Sequence, residues 1–281
     1  MFLHTWIPTA TFDIGGVEIS LYGLVLALGL ITAYCLMIYF SRHFDRVQGT
    51  HYEDYIDGLF WWVFIPAIVG ARVLFILYHP DYFLSTPQEM IAIWHGGIVW
   101  HGALIGGMIG SFAYCRRKHI PWLHFADYAA PALALGQALG RWGNYFNQEN
   151  YGLPTSLPWG IPIDAAHRLP GFEQFNYFHP TFLYESLWDM ALFVVLFVLV
   201  YRWALQRKAA WYRSGMLFFA YIIAYSIGRF GIEFLRIDTV PIFWGFRLPQ
   251  WWSVDLTIAA LIGLWFLFAH RNQDACISRK R

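Results

Sequence analysis

Charge is scarce in this chain. Only 13% of its 281 residues are Asp, Glu, Lys or Arg, about half the roughly 25% of an ordinary soluble domain. Basic residues (19) barely outnumber acidic ones (18), for a formal net charge of +1. That balance excludes a nucleic-acid binder built on basic excess. There are three cysteines. Cys35 lies in an apolar run, Cys115 beside a basic cluster and Cys276 in a charged tail. Their spacing fits neither a disulfide framework nor a metal site, and no His, Asp and Glu cluster has convincing ligand spacing, so neither metal nor cofactor is expected. No Lys or Arg precedes Arg42, so the basic start of a cleavable signal peptide is missing. Low-complexity tracts and strong internal repeats are also lacking, which argues against the doubled architecture of many transporters.

What is present is apolar. Hydrophobic residues make up 58% of the chain and aromatics 20%, with 15 tryptophans, and the mean hydropathy is +0.43. The charge-poor runs are too long for core helices of a soluble domain. Seven spans are expected, at Ser20–Phe40, Ile56–Tyr78, Ile91–Tyr114, Trp122–Arg141, Thr181–Trp203, Gly215–Arg236 and Trp251–His270. Each is close to the roughly 20 residues that cross a bilayer. The fourth contains Asp127, Pro131, Gly136 and Gly140 and is the one expected to be broken or re-entrant. The predicted fold is therefore an all-α polytopic membrane protein of about seven transmembrane helices, forming one domain over residues 1–281.

Orientation follows from the loops. With the N-terminus outside, the inner connections hold 13 of the 19 basic residues and the outer ones only Arg168 and Arg247. The positive-inside rule then places the C-terminus in the cytoplasm. The longest connection, residues 145–180, carries five prolines and reads as a compact irregular head on the outer face.

Intramembrane charge is costly, so each instance asks for an explanation. Arg72, His101, Arg141, Glu185, Asp189, Arg229, Glu233, Arg236 and Asp255 fall in the outer half of the bilayer or near its middle. At ~1.5 Å of rise per residue, His101 would sit roughly 15 Å below the outer face. Asp127 alone lies near the inner end of its span. This asymmetry points to a polar cavity open to the outer side. On the sixth span, Tyr225, Arg229, Glu233 and Arg236 share one helix face. Glu233 can pair with both arginines, which leaves one positive charge over on that face and suits an anionic partner. Arginine fits phosphate better than lysine because its fork donates two parallel hydrogen bonds, and none of the seven spans contains lysine.

His101 reads either as a packing residue or as a general base. Gly102, Gly106 and Gly110 form a small-xxx-small series, better suited to close helix packing than to a phosphate cradle. The stretch from Gly140 to Gly152, GRWGNYFNQENYG, packs Arg, three Asn, Gln and Glu among aromatics. An interfacial aromatic belt accounts for the Trp and Tyr, but not for so many polar groups where unpaired ones are costly.

That stretch resembles the signature of the bacterial prolipoprotein diacylglyceryl transferase family. Leu21-Tyr22-Gly23-Leu24, Gly70-Ala71-Arg72, Trp94 to Gly107, His179 to Glu185 and Tyr225 to Arg236 resemble further blocks of that family, in family order. Ala103 departs from the second glycine of many relatives, with little expected consequence. The resemblance implies a seven-span inner-membrane enzyme, N-terminus periplasmic, with a periplasmic head and an active site toward the periplasmic leaflet. It implies transfer of the diacylglyceryl group of phosphatidylglycerol to the lipobox cysteine of a preprolipoprotein, forming a thioether and releasing glycerol phosphate. By motif, Arg141, Arg229 and His101 would be catalytic. Tyr22, Asn144, Glu149, Gly152, Tyr225, Glu233 and Arg236 would bind substrate. The partners implied are the two substrates and the lipid bilayer, with no nucleic acid. The arginines would hold the phosphate as charge grows on it, and His101 would take the thiol proton. The resemblance assigns no role to Arg72, Glu185, Asp189 or Asp255. A transporter or channel for an anionic solute would also place arginines in an outward cavity, but it would need a polar path to the inner side, where, apart from Asp127, the spans are apolar.

Overall fold

Long apolar runs must satisfy their own backbone in a bilayer, and the helix is the only open-chain way to do so. The computed structural model, which describes residues 11–14, 17–48, 51–93, 96–205 and 212–278, is accordingly dominated by helices. In chain order these are α1 (Leu21–Gln48), α2 (Ile56–Tyr78), α3 (Pro80–Ser85), α4 (Trp100–Arg117), α5 (Trp122–Phe146), α6 (Thr181–Leu205), α7 (Met216–Ile232) and α8 (Leu248–Ser278). The described residues also form short 3-10 turns and three small antiparallel strand pairs: β1 (Thr11–Ile14) with β2 (Val17–Ser20), β3 (Ile161–Pro162) with β4 (Tyr177–Phe178), and β5 (Ile242–Phe243) with β6 (Phe246–Arg247). Ser20 accepts the Gly23 amide at 3.4 Å where α1 begins, the usual service of an N-cap hydroxyl.

Among the described residues, five segments are long and apolar enough to cross a membrane: Leu21–His43, Tyr52–Tyr78, Thr181–Trp203, Met216–Leu235 and Leu248–Ala269. The chain is a multi-pass membrane protein. Expected spans three and four are the helices α4 and α5, whose glycines and polar residues keep them out of that set. Two expectations need correction. The third span does not begin at Ile91: residues 91–93 and 96–99 are not α-helical, and Gly96 and Gly97 take φ of 85° and 76°, values that favour glycine. Trp94 and His95 lie outside the described residues. The fourth segment is not broken, because α5 runs continuously through Pro131 for 25 residues.

The chain folds as two compact units, one of residues 38–125 and one of residues 1–37 with 126–281.

In the 38–125 unit, α2 and α4 pack closely. A Cβ at Gly102, Gly106 or Gly110 would meet the α2 backbone at Ala71, Pro66 or Trp62 at 3.0 Å or less, so the glycine stripe is a packing surface. Arg72 explains the non-helical entry to α4. Its guanidinium donates to the carbonyls of Met90 (3.0 Å), Gly96 (2.6 Å), Gly97 (2.8 Å) and Ala92 (3.3 Å), and also to Glu89. One buried arginine thus supplies the hydrogen bonds that helix would otherwise provide, and its charge lies over the Phe75 and Phe83 rings.

In the other unit, Ser186 on α6 donates to the Ala138 carbonyl of α5 (2.8 Å), and Trp188 donates to Ala224 of α7 (3.1 Å). Tyr221 of α7 reaches Gln137 of α5 at 2.5 Å. Asp127, the odd inner-side charge of the sequence, accepts the amides of Gly215 (2.6 Å) and Phe218 (2.9 Å) and the Tyr212 hydroxyl. It caps α7 from a neighbouring helix, where a negative group is favoured. Between α5 and α6 the irregular segment folds around Tyr145, Tyr151, Ile161, Ile163, Phe178 and Phe182. The Tyr151 hydroxyl donates to the His167 carbonyl and accepts the Leu169 amide, both at 2.8 Å. Burial pushes its phenol above the ordinary tyrosine value.

Candidate active site

The site is built where α5, α6 and α7 meet, around Glu185. Its carboxylate is buried, 4% exposed, and receives three guanidiniums. Arg141 of α5 brings Nε to Oε2 at 2.6 Å, and Arg229 of α7 donates through Nη1 to Oε1 at 2.7 Å. Arg236, just past α7, donates through Nη1 to Oε1 at 3.3 Å. Two arginines far apart in sequence therefore hold opposite oxygens of one carboxylate.

A second layer surrounds these pairs. Glu233, fully buried, lies 2.8 Å from Arg229 Nη2, 3.8 Å from Arg236 Nε and 2.8 Å from Arg247 Nε. Asp238 receives Arg236 at 2.8 Å and lies 3.3 Å from Arg247 Nη2. Burial alone would raise the Asp238 carboxyl, but Arg236 beside it, with Arg247, holds it below the usual carboxylate range.

The local backbone shows why Arg236 is here. After Ile232 the helix tightens into a 3-10 turn, Glu233–Leu235, and Arg236 is extended (φ −79°, ψ 146°). It pairs across an isolated bridge with Gly152, whose amide donates to the His179 carbonyl at 2.9 Å, while the Leu153 amide donates to Leu235 at 2.8 Å. A Cβ at Gly152 would fall 2.8–2.9 Å from Leu235 O, His179 Cβ and Thr181 Cγ2. Only a residue without a side chain lets these three segments meet. Asn150, in the left-handed region (φ 59°), accepts Arg236 through its side-chain oxygen.

Most residues expected in the site are gathered in this unit. Tyr225 accepts from Arg141 Nη2 at 3.4 Å. Asn144 donates to Glu149 at 2.9 Å. The Tyr22 ring lies against Gly143, with its hydroxyl in electrostatic reach of Glu149 and Arg141. His101 belongs to the 38–125 unit, in the first turn of α4, its ring 4.0 Å from that of Trp100 and tilted 34° to it. Its expected depth was counted along a helix starting at Ile91, and that helix does not exist.

Three further expectations change. Arg141 does not end its helix, which continues to Phe146, and its side chain is 21% exposed, turned onto Glu185. Arg236 leaves the α7 face it was predicted to share with Tyr225 and Arg229. The surplus positive charge predicted on that face is shared with Arg141 around Glu185 of α6. Glu185 was visible in the sequence as an intramembrane acid, but helix periodicity pairs only residues of one helix. Arg247 and Asp238 gave no signal beyond their place in an outer loop.

A recess with a volume of about 10 Å³ opens beside the cluster, lined by Glu185, Trp188, Asp189, Tyr225, Arg229 and Ile232. That is room for about one water. No group of three or more His, Cys, Asp or Glu side chains suited to a metal occurs among the described residues.

Residues 9–266 match the family model described as prolipoprotein diacylglyceryl transferase. A phosphatidylglycerol–prolipoprotein diacylglyceryl transferase of Trichormus variabilis is 38% identical over 271 residues, covering 96% of this chain and 93% of that protein. Proteins of the same name from Gloeobacter violaceus (38% identity, 91% of each chain) and Fervidobacterium nodosum (39% identity, 82% of this chain and 75% of that one) are also similar.

Proposed function

The chain belongs to the prolipoprotein diacylglyceryl transferase family, and we infer from this that it transfers a diacylglyceryl group from phosphatidylglycerol to a prolipoprotein in lipoprotein maturation. In the fuller reading the acceptor is the lipobox cysteine thiol of a preprolipoprotein. The C–O bond between glycerol and phosphate breaks, a C–S bond forms, and glycerol phosphate leaves. The enzyme is read as one domain of seven spans in the inner membrane. Its N-terminus and a head at 145–180 are periplasmic, its C-terminus is cytoplasmic, and its site faces the periplasmic leaflet.

One observation supports this chemistry above the rest: Arg141 and Arg229 are held on the two oxygens of Glu185. A guanidinium has five N–H donors. Glu185 and Tyr225 engage Arg141 through Nε and Nη2, and Glu185 and Glu233 engage Arg229 through Nη1 and Nη2. Each arginine is thus aimed by carboxylates while keeping donors for a further anion. We assign both to the lipid phosphate, where fixed donors stabilise the charge that grows as it departs. Tyr225, Glu233 and Arg236 hold the pair in place. Tyr22, Asn144, Glu149 and Gly152 shape the adjoining wall. The nucleophile must be a thiolate, since the thiol has a pKa near 8.5, and His101 is assigned as the proton acceptor. The water-sized recess must widen to admit a headgroup.

The test supplies phosphatidylglycerol and a lipobox peptide to the reconstituted enzyme and follows the thioether adduct by mass. Arg141→Ala and Arg229→Ala should each abolish it. Activity surviving both changes in folded protein refutes the clamp, and a normal rate in His101→Gln removes the histidine as base.

A further inference from the structure

Asp189 stands one helical turn after Glu185 on the same face of α6 and lines the same recess. It is 1% exposed, and its Oδ2 has no hydrogen-bond partner among the described residues. Nor is it in any of the ion pairs found there, Arg141 and Arg229 being ion-paired with Glu185. The charged and titratable groups that face it are Arg141 on α5, Glu185 on α6, and Tyr221, Tyr225 and Arg229 on α7. A buried carboxylate without its own counter-charge neutralises itself. Two carboxyls one turn apart, one ion-paired and one not, form the arrangement that sorts an anion from an acid.

We propose that Asp189 carries a proton and gives it to the phosphate as the glycerol C–O bond breaks, acting as the general acid for the leaving group. This rests on the reading that Arg141 and Arg229 hold that phosphate. The thiolate electron pair forms the C–S bond, and the C–O pair departs on the phosphate oxygen. That oxygen receives the Asp189 proton. The proton lost by the thiol, passed on from its acceptor, restores Asp189. In sum, the S–H proton ends on glycerol phosphate.

The experiment compares wild type, Asp189→Asn and Asp189→Glu in phosphatidylglycerol nanodiscs near neutral pH. Asparagine keeps the shape and can donate a hydrogen bond but cannot release a proton. It should lower kcat about 10²–10⁴-fold and leave KM for phosphatidylglycerol unchanged, while glutamate retains most of the turnover. Infrared difference spectra should show the deuterium-sensitive carbonyl stretch of a neutral carboxylic acid in wild type and in Asp189→Glu, missing in Asp189→Asn. The infrared reading needs no turnover. A wild type that transfers nothing therefore defeats the assigned reaction, whereas absence of the band defeats the Asp189 assignment. An unchanged kcat in Asp189→Asn, or equal losses in both variants, also overturns it.

Discussion

Replacing Glu185 by Gln tests the centre of the site most directly. The change keeps volume and one carbonyl oxygen but deletes the charge that three guanidiniums share at 2.6, 2.7 and 3.3 Å. Glu185 is 4% exposed, so solvent screens little of this interaction. Removing one partner of a buried ion pair costs about 3–5 kcal/mol, because the other charge is left uncompensated. The amide oxygen can still accept one hydrogen bond, which places the loss near 3 kcal/mol. At about 1.4 kcal/mol per tenfold, the unfolded fraction should rise roughly a hundredfold. Thermal or denaturant unfolding of purified protein, in vesicles or nanodiscs free of phosphatidylglycerol, measures it. The variant should also respond to inorganic phosphate, which can replace the missing anion. At a hundred times its Kd a ligand contributes about 2.7 kcal/mol, enough to restore most of the loss, whereas wild type should gain far less. A Glu185→Gln protein as stable as wild type would show that the three contacts carry no net energy. A destabilised variant indifferent to phosphate would show that the cluster has no affinity for that anion.

Two other perturbations reach different parts of the molecule. Gly106→Val places a Cβ where the Pro66 carbonyl carbon is 2.8 Å away. It should destabilise by about 1–3 kcal/mol through overpacking, read as a lower unfolding midpoint, and an unchanged midpoint would mean that α2 and α4 separate at no cost. Asp238 is held below the ordinary carboxylate value by Arg236 and Arg247. Its contribution is therefore complete above the unfolded value of about 3.9 and is lost as pH falls through the lower folded value. Unfolding midpoints followed from about pH 6 to pH 3 should fall more steeply in wild type than in Asp238→Asn, and parallel curves would refute the assignment.

The sequence was readable where one physical term dominates. Long apolar runs at α1, α2, α6, α7 and α8 show themselves by length alone, since only a membrane span needs them. The glycine stripe of α4 was readable for a similar reason: helical spacing of residues without side chains has few uses besides close approach. The start of α4 was not readable. Ile91, Ala92, Ile93, Ile98 and Val99 suit a helix as well as an irregular stretch, and hydropathy is the same for both. What decides is Arg72, which arrives from another helix and takes the carbonyls. Arg236 leaves its helix for a comparable reason, because Gly152 and Leu153 pair with the chain there.

The site divides along the same line. Arg141 and Arg229 could be picked out as costly intramembrane cations, and their convergence is real. Their charge balance could not be worked out, because periodicity sees only the i,i+3 and i,i+4 partners of one helix, and Glu185 comes from another. The difference bears on the proposed mechanism. A surplus of positive charge would hold both the anionic lipid and the anionic product tightly, and such binding of the ground state slows release without speeding the chemical step. Guanidiniums partly neutralised by the shared carboxylates of Glu185 and Glu233 bind the resting anion less tightly than bare ones. They gain most when negative charge rises on the departing oxygen, which is where an enzyme's binding energy raises kcat. On this reasoning Glu185, the carboxylate missing from the sequence-based site, acts with Glu233 to let the arginines turn over.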